Sequence, residues 1–457
     1  MKHRRILPYL AWAFLAAHSA SAQQEATSRD SLDFVRISTI YCDILRRTSD
    51  VQEFSLTMHG YTVTGSFSLG GGRLETLLRR AIFDLNNHNH KTDLDISFFG
   101  KNQSLSVGYR LRFGNVEIAA SAEVSEEHQH LALNGAGSIA VGFPLTILEE
   151  IRLGLRQQSQ PFDFRTAYLD SELPLSQTMR LTSVEASVVL NLIPNNRLQL
   201  HYARSETSPN ALTSPFTLRD KTESHEWNAS LQQAMGSWHW SLLYDRGTVE
   251  STSDFYHEGN TFGESSFSDA HTEGVYLRFA RKTEQDEGVG AYGGYRTFQG
   301  TLVGNLQSWP FFSILQSVIA NRINFRMTGS VDYWHVGVEN TWHFGSIAVR
   351  TSVTYYDVKP DISLQSWQPL FLVVGVSQFT ENRLEVIHAG LGQLELAVRL
   401  NAGEFDAELR GMQIVPLFQD RRAAEILPGP SDGGVVRESS VSTDGGRLIQ
   451  LTVLLHI

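Results

Sequence analysis

Apolar and polar side chains alternate with a period of two across residues 333–356. Trp334 and Trp342 lie on the apolar face of the first run, and the alternation resumes after Gly345. Successive side chains of a strand point to opposite faces, so the pattern predicts two strands with one apolar and one polar surface. The glycine-containing turn between them predicts a β-hairpin.

The same hairpin pattern recurs along most of the chain, without a repeated sequence motif. Short connections alternate with long polar ones, which in an up-and-down sheet places all tight turns at one end and all long loops at the other. The short connections lie near residues 114, 142–148, 195, 235, 282–287, 345 and 402. The long polar connections are 158–179, 205–223, 247–271, 299–330, 357–388 and 415–446.

The last stretch, Leu448–Ile457, is a further alternating strand with an apolar face. Together with the rhythm of short and long connections, it resembles the porin-like outer-membrane β-barrels of Gram-negative bacteria. In that class the C-terminal strand closes the barrel and is recognised by the barrel-assembly machinery. Those proteins usually end in Phe or Trp, whereas this chain ends in Ile457. The resemblance implies an outer-membrane location, contact with outer-membrane lipid and assembly through residues 448–457.

The sequence therefore predicts an all-β fold, an antiparallel up-and-down transmembrane β-barrel of about 16 strands with short helical elements. The range is about 14 to 18 strands, because residues 54–69 could add a pair. The barrel is assigned to residues 92–457. A soluble exported β-sandwich is the competing interpretation, since its strands also alternate and would bury the apolar face between two sheets.

The N-terminal part is predicted to lie outside the barrel wall. Residues 1–22 have the basic start, apolar run and small-residue cleavage site of a signal peptide. Residues 23–91 are assigned to a periplasmic or plug-like region. Within it, leucines and alanines at helical spacing predict an amphipathic helix over residues 73–86.

Charge and cysteine content narrow the function classes. The formal net charge is −11, and loss of the three basic residues of the signal peptide makes it −14, so nucleic acid is not predicted as a partner. Cys42 is the single cysteine, so an exported chain would form no intramolecular disulfide.

The polar face of the strands carries charges of both signs. Unpaired ions are costly to bury in a dry core, whereas a barrel of about 16 strands has room for a wet interior. The sequence thus predicts a channel for small polar solutes, which would diffuse through a water-filled lumen. The residues predicted to line the pore are Arg110, Arg112, Glu117, Glu185, Arg197, His201, Glu226, His239, His335, Glu339, Arg350, Glu395, Arg399, Asp406 and Arg410.

Two other functions stay open at this stage. The barrel could be a structural or assembly subunit with an occluded lumen and partner-binding loops, or an enzyme acting on lipid or peptide. The chain contains no His-Glu-x-x-His pair, and nothing in it convincingly matches the motifs of barrel enzymes, so no enzymatic activity, catalytic residue, metal or cofactor is predicted. Residues 308–322 form an apolar segment within a long loop, and two interpretations stay open: a helix that packs on neighbouring loops, or a segment that folds into the barrel mouth and narrows it.

Overall fold

The structure is a computed structural model that describes most of the chain from residue 33 onwards. The signal peptide lies outside the described residues, as does segment 308–322 except Arg322, where a strand begins. The described ranges are 33–48, 52–89, 94–127, 130–143, 147–168, 171–193, 196–209, 216–257, 260–282, 287–307, 322–369, 377–427, 435–439 and 441–456.

Antiparallel strands form one sheet that closes on itself, because β1 pairs with both β2 and β19. β18 and β19 pair with successive parts of β17, so together they occupy one position in the wall, which has 18 strand positions in the described chain. The strands are β1 Phe34–Thr48, β2 Gln52–Leu69, β3 Gly72–Asn89, β4 Leu94–Phe113, β5 Val116–Glu127, β6 His130–Gly142, β7 Leu148–Tyr168, β8 Ser171–Ile193, β9 Asn196–Pro209, β10 Phe216–Met235, β11 Trp238–His257, β12 Asn260–Lys282, β13 Glu287–Gln307, β14 Arg322–Phe344, β15 Ile347–Pro369, β16 Ser377–Asn401, β17 Phe405–Leu427, β18 Val435–Ser439 and β19 Val441–His456.

The predicted all-β antiparallel barrel is confirmed, but two parts of the prediction are wrong. The wall has 18 strand positions rather than about 16, and the described residues contain no helix. Residues 73–86 belong to β3 and not to an amphipathic helix. The strands β1 (34–48), β2 (52–69) and β3 (72–89) belong to the barrel wall, although residues 23–91 were assigned to a periplasmic or plug-like region.

A two-residue glycine turn joins β2 to β3 as a hairpin. Gly70 and Gly71 have φ values of 57° and 84°, which residues with a side chain rarely adopt, and Leu69 pairs directly with Gly72. Gly114, Gly236 and Gly345 provide the same positive φ in other short turns. These turns connect strands at one end of the barrel, as the alternation of short and long connections predicted.

Strands at the opposite end extend into regions that looked like long loops. β7 and β8 run through most of residues 158–179, and β15 and β16 run through most of 357–388. In the sequence of these segments, prolines such as Pro161, Pro174 and Pro360 and scattered charged residues interrupt the alternation of apolar and polar positions. The period-two signal therefore fades there although the backbone ladder continues.

No helix in the described ranges is long and apolar enough to cross a bilayer.

Candidate functional site: the inner wall of the barrel

Contacts between strands that are not neighbours identify the inner face. Arg278 of β12 donates to Glu339 of β14 at 2.6 Å, and the Tyr292 hydroxyl of β13 lies 2.6 Å from Thr354 Oγ1 of β15. Each contact passes over an intervening strand. Side chains two strands apart approach so closely only on the concave side of a curved sheet, so these positions face the lumen.

The fifteen residues that the sequence assigned to a pore all occupy strand positions on this concave face. Alternation along each strand, together with the register of its neighbours, fixes that orientation. Their role in lining an open pore stays a prediction. Most of them are held by polar contacts, which fall into separate groups along the wall.

One group lies near the short turns of β3–β7 and alternates acid with base. Arg110 lies 2.8 Å from Glu75 and 3.9 Å from Glu117. Arg152 contacts Glu117 at 3.2 Å and Glu150 at 3.1 Å. Each arginine therefore faces two carboxylates, and the group neutralises most of its own charge.

A second group lies on β15–β17. Glu395 accepts from Arg350 at 3.1 Å and from Arg410 at 2.8 Å, and its side chain is only 7% exposed. Arg399 donates to Asp406 at 3.2 Å, and that carboxylate is equally buried. Buried carboxylates need such partners, because removal of one partner leaves a charge with little solvation.

The other predicted residues make none of the ion pairs just described. Arg197 contacts Glu149 at 3.3 Å, and Glu226 accepts a hydrogen bond from Asn228 at 2.9 Å. Arg112 lies 3.4 Å from the carbonyl oxygen of Gly114. Glu185, His201 and His239 are half-buried on the same face. The structure therefore distributes the predicted residues around the wall rather than assembling them into one catalytic constellation.

Glycines on the inner face let side chains lie along the wall between β11 and β16. Gly337 stands between Tyr292 and Thr354 in one cross-strand row, and a Cβ atom there would come within 2.5 Å of the Tyr292 ring. Because the Tyr292 hydroxyl reaches Thr354, the ring crosses β14 along the wall instead of standing in the lumen. Asp245 crosses Gly274 in the same way and contacts Arg296 at 2.5 Å.

His335 belongs to the adjacent row and leans over Gly294, where a Cβ atom would lie 2.8 Å from the imidazole Cε1. Its ring centroid is 5.6 Å from those of both Tyr276 and Tyr356, with interplanar angles of 23° and 29°. Tyr356 in turn donates to Gln393 Oε1 at 2.9 Å. We call Tyr276, Tyr292, His335 and Tyr356 the ring patch.

Only His335 of the ring patch was among the predicted pore residues. The tyrosines were missed because tyrosine suits either face of a strand, so alternation alone does not single it out. The available signal was the glycine on the neighbouring strand. That signal can be read only when the register between β12, β13, β14 and β15 is known.

The outward face carries large apolar side chains bounded by aromatic residues. Trp238 and Phe279 stack at 4.7 Å between ring centroids near the short turns. Further from the turns, Trp334 packs beside Tyr355 at 5.3 Å. The surface between these two levels is mostly aliphatic, and the outward positions just beyond Trp334 and Tyr355, Asp332 and Asp357, are charged.

The described residues contain no group of three or more histidine, cysteine, aspartate or glutamate side chains placed to hold a metal ion.

No known protein family matches the chain. No curated protein matches its sequence.

Solved structures that resemble the chain include outer-membrane β-barrel porins and transporters, the class that the strand pattern resembles. The FrpB iron transporter from Neisseria meningitidis is 9% identical with a TM-score of 0.38, covering 95% of this chain and 83% of that chain. OccK7 (OpdD) from Pseudomonas aeruginosa is 10% identical with a TM-score of 0.40, covering 93% and 99% respectively. The unliganded ferric citrate transporter FecA is 8% identical with a TM-score of 0.39, covering 93% and 78%. At this distance the likeness concerns architecture only.

Proposed function

We propose that this chain is an outer-membrane channel through which small polar solutes diffuse. The observation that carries the proposal is a closed wall of 18 strand positions whose concave face bears paired charges of both signs. Barrels of about 16 to 18 strands enclose an aqueous channel, whereas about eight strands leave room only for side chains or one small ligand. A charged concave face is stable when water fills the space in front of it.

The convex face supports insertion into lipid. Outward positions from Ile347 to Tyr355 are mostly apolar and span about 27 Å along the strand at roughly 3.4 Å per residue. A strand tilt of about 40° reduces this to about 21 Å, close to the apolar band of membrane barrels. Aromatic side chains at both ends of the band match the two membrane–water interfaces.

Insertion into lipid requires a closed wall. Backbone N–H and C=O groups at an open sheet edge have no partner in hydrocarbon, and pairing of β1 with β19 removes both edges. We place the protein in the outer membrane of a Gram-negative bacterium, exported after cleavage of residues 1–22. Residues 448–457 are the segment that the barrel-assembly machinery would recognise.

Selectivity would follow from pore width and from the paired lining charges. The lining acids Glu117, Glu339, Glu395 and Asp406 each lie within 4 Å of an arginine, so neither sign of charge dominates at these positions. We therefore expect weak ion selectivity, with a reversal potential close to zero in a salt gradient.

The test uses the full mature chain in detergent, with gel migration compared before and after boiling and the same sample added to a planar bilayer. Heat-modifiable migration together with discrete conductance steps is the expected result. Heat-modifiable migration without conductance would overturn the channel and favour a barrel with an occluded lumen. A protein that needs no detergent and shows neither signal would overturn the membrane location as well.

A further inference from the structure

We propose that the ring patch is a binding subsite for a sugar ring, so that the solutes of the proposed channel include carbohydrates. The inference rests on the proposed function only for the route by which the sugar arrives. The subsite itself is argued from how four rings are held on the inner wall.

The rings of Tyr292 and His335 lie over glycines of the neighbouring strands. Tyr292 spans Gly337 to reach Thr354, and His335 lies over Gly294 towards Tyr276. The two glycines leave the space that these rings fill. Both rings therefore lie along the wall, and because Tyr276, Tyr292, His335 and Tyr356 are each half-buried, part of every ring is open to the lumen.

Hydrogen bonds hold two rings of the patch in place. The Tyr292 and Tyr356 hydroxyls are engaged with Thr354 and Gln393, at 2.6 Å and 2.9 Å. Rings that are fixed at both ends lose little conformational entropy when a ligand settles on them, so the patch is preorganised.

Two ion pairs flank the ring patch. On the long-loop side, Asp245 and Arg296 form an ion pair, and on the short-turn side Arg278 and Glu339 form another. The stretch from Tyr333 to Glu339, which joins these two levels on β14, spans about 20 Å at roughly 3.4 Å per residue. Carboxylates and guanidinium groups thus flank an aromatic surface on two sides.

This arrangement fits a sugar better than other small solutes. The face of an aromatic ring carries negative charge density, which attracts the partially positive C–H hydrogens of a sugar face. The hydroxyl groups at the sugar edge can both donate and accept, which matches flanking acids and arginines. A simple cation would also be drawn to ring faces, but each flanking acid is paired with an arginine, so the two ion pairs add no net attraction for it.

The position of the patch gives it a role in uptake. His335 is next to Trp334, which belongs to the outward aromatic level far from the short turns. The paired charges of β15–β17 lie between the patch and those turns. A solute that enters from the long-loop side would meet the rings before it meets the paired charges of β15–β17.

The test measures reversible block of single-channel current by cellobiose, with choline as the cationic comparison. His335→Ala removes one ring, and His343→Ala is its matched control, because His343 lies on the inner face of the same strand, near the short turn and outside the ring patch. Gly337→Ala adds a methyl group where the Tyr292 ring lies, whereas at Gly154 an added Cβ meets its nearest atom at 3.6 Å, an ordinary contact, so Gly154→Ala is its control. Heat-modifiable migration and unblocked conductance establish that each variant folds, and His335→Ala decides the result if Gly337→Ala does not fold.

We expect cellobiose to block the wild-type channel, and both ring-patch variants to weaken the apparent affinity by about tenfold or more, as loss of one stacking contact would. The two controls should retain the wild-type affinity. Equal block in all variants, or block by choline and not by cellobiose, would overturn the subsite. If the wild type gives no conductance, calorimetric binding of cellobiose in detergent that is lost in His335→Ala would retain the subsite while the channel is rejected. Conductance without any block by cellobiose would retain the channel and overturn the subsite.

Discussion

Trp334 Nε1 donates a hydrogen bond to Asp357 Oδ2 at 2.6 Å, and the two residues are direct register partners on the outward face of β14 and β15. Asp357 is only 5% exposed although it lies on the convex surface. Tyr244 and Tyr295 make corresponding contacts, to Glu273 at 3.0 Å and to Asp332 at 3.1 Å. Aromatic residues with polar tips thus hold the first carboxylates beyond the apolar band.

Replacement of Trp334 by Phe tests the energetic value of this contact. The ring is largely retained, but the buried carboxylate of Asp357 loses its indole donor. We expect the free energy of unfolding to fall by about 1–3 kcal/mol, the usual cost of losing a hydrogen bond to a charged group. Urea unfolding of the barrel in lipid vesicles measures it.

Trp342→Phe is the matched control, since Trp342 lies on the same strand and the same outward face, near the short turn. We expect a smaller loss there, from reduced burial alone. Equal losses for the two variants would mean that ring size, and not the hydrogen bond to Asp357, determines the stability.

Glu395→Gln tests the charge balance of the lumen. The substitution keeps the size of the side chain but removes the negative charge that Arg350 and Arg410 share. We expect the reversal potential in a potassium chloride gradient to shift towards anion selectivity. Stability should also fall by about 1–3 kcal/mol, because two charge-assisted hydrogen bonds are weakened.

Glu226→Gln provides the comparison, because Glu226 is exposed on the same face and its described hydrogen bond comes from the neutral Asn228. It should shift selectivity in the same direction with little change in stability. An unchanged reversal potential in both variants would argue that these inward carboxylates do not face the ion path.

Strand type and facing could be predicted wherever one face of a strand is apolar, as in residues 333–356. The strand β3 could not be predicted in this way, because its apolar positions fit both the helical period of 3.6 residues and the strand period of two. Leu74 and Leu78 satisfy a helical stripe, yet they also share the outward face of a strand, while Leu77 falls on the inner face. A wide wet lumen tolerates an occasional inward leucine, so neither face of β3 is purely polar. The glycine turn before Gly72 was the better signal, since paired glycines favour hairpins.

Cysteine scanning distinguishes the two conformations of this segment. In a Cys42→Ser background, single cysteines at residues 74–79 are exposed to a water-soluble thiol reagent in lipid vesicles. A strand places 75, 77 and 79 towards the lumen and 74, 76 and 78 towards lipid, so we expect labelling at every second position.

A helix would give a different result from the same six variants. Labelling would then follow the three- to four-residue repeat, with 74, 77 and 78 behaving alike. That outcome would contradict β3 as part of the wall. Cysteines at 336 and 338, on the outward face of the well-predicted β14, provide the reference for unlabelled positions.

The ring patch could not be predicted from the sequence, although its residues are visible there. Tyr292 and Gly337 are 45 positions apart and acquire meaning only as register partners. The ion pair between Arg278 and Glu339 depends in the same way on three strands lying in order. Alternation gives the face of each residue, but the neighbours across the wall follow from the register and from the curvature of the sheet.

The pairing of β1 with β19 also determines the order in which the protein can fold. The other neighbouring strands of the described wall follow one another in the chain and can form as local hairpins, whereas the Ser38 and Thr452 hydroxyls, 2.9 Å apart, are 414 positions apart in sequence. Joining such distant ends costs only slightly more entropy than joining nearer ones, since the cost grows with the logarithm of loop length. Until that join is made, however, both terminal strands present unpaired backbone groups that lipid cannot satisfy. We therefore expect closure to be the last step of folding, because only the pairing of β1 with β19 leaves no exposed edge.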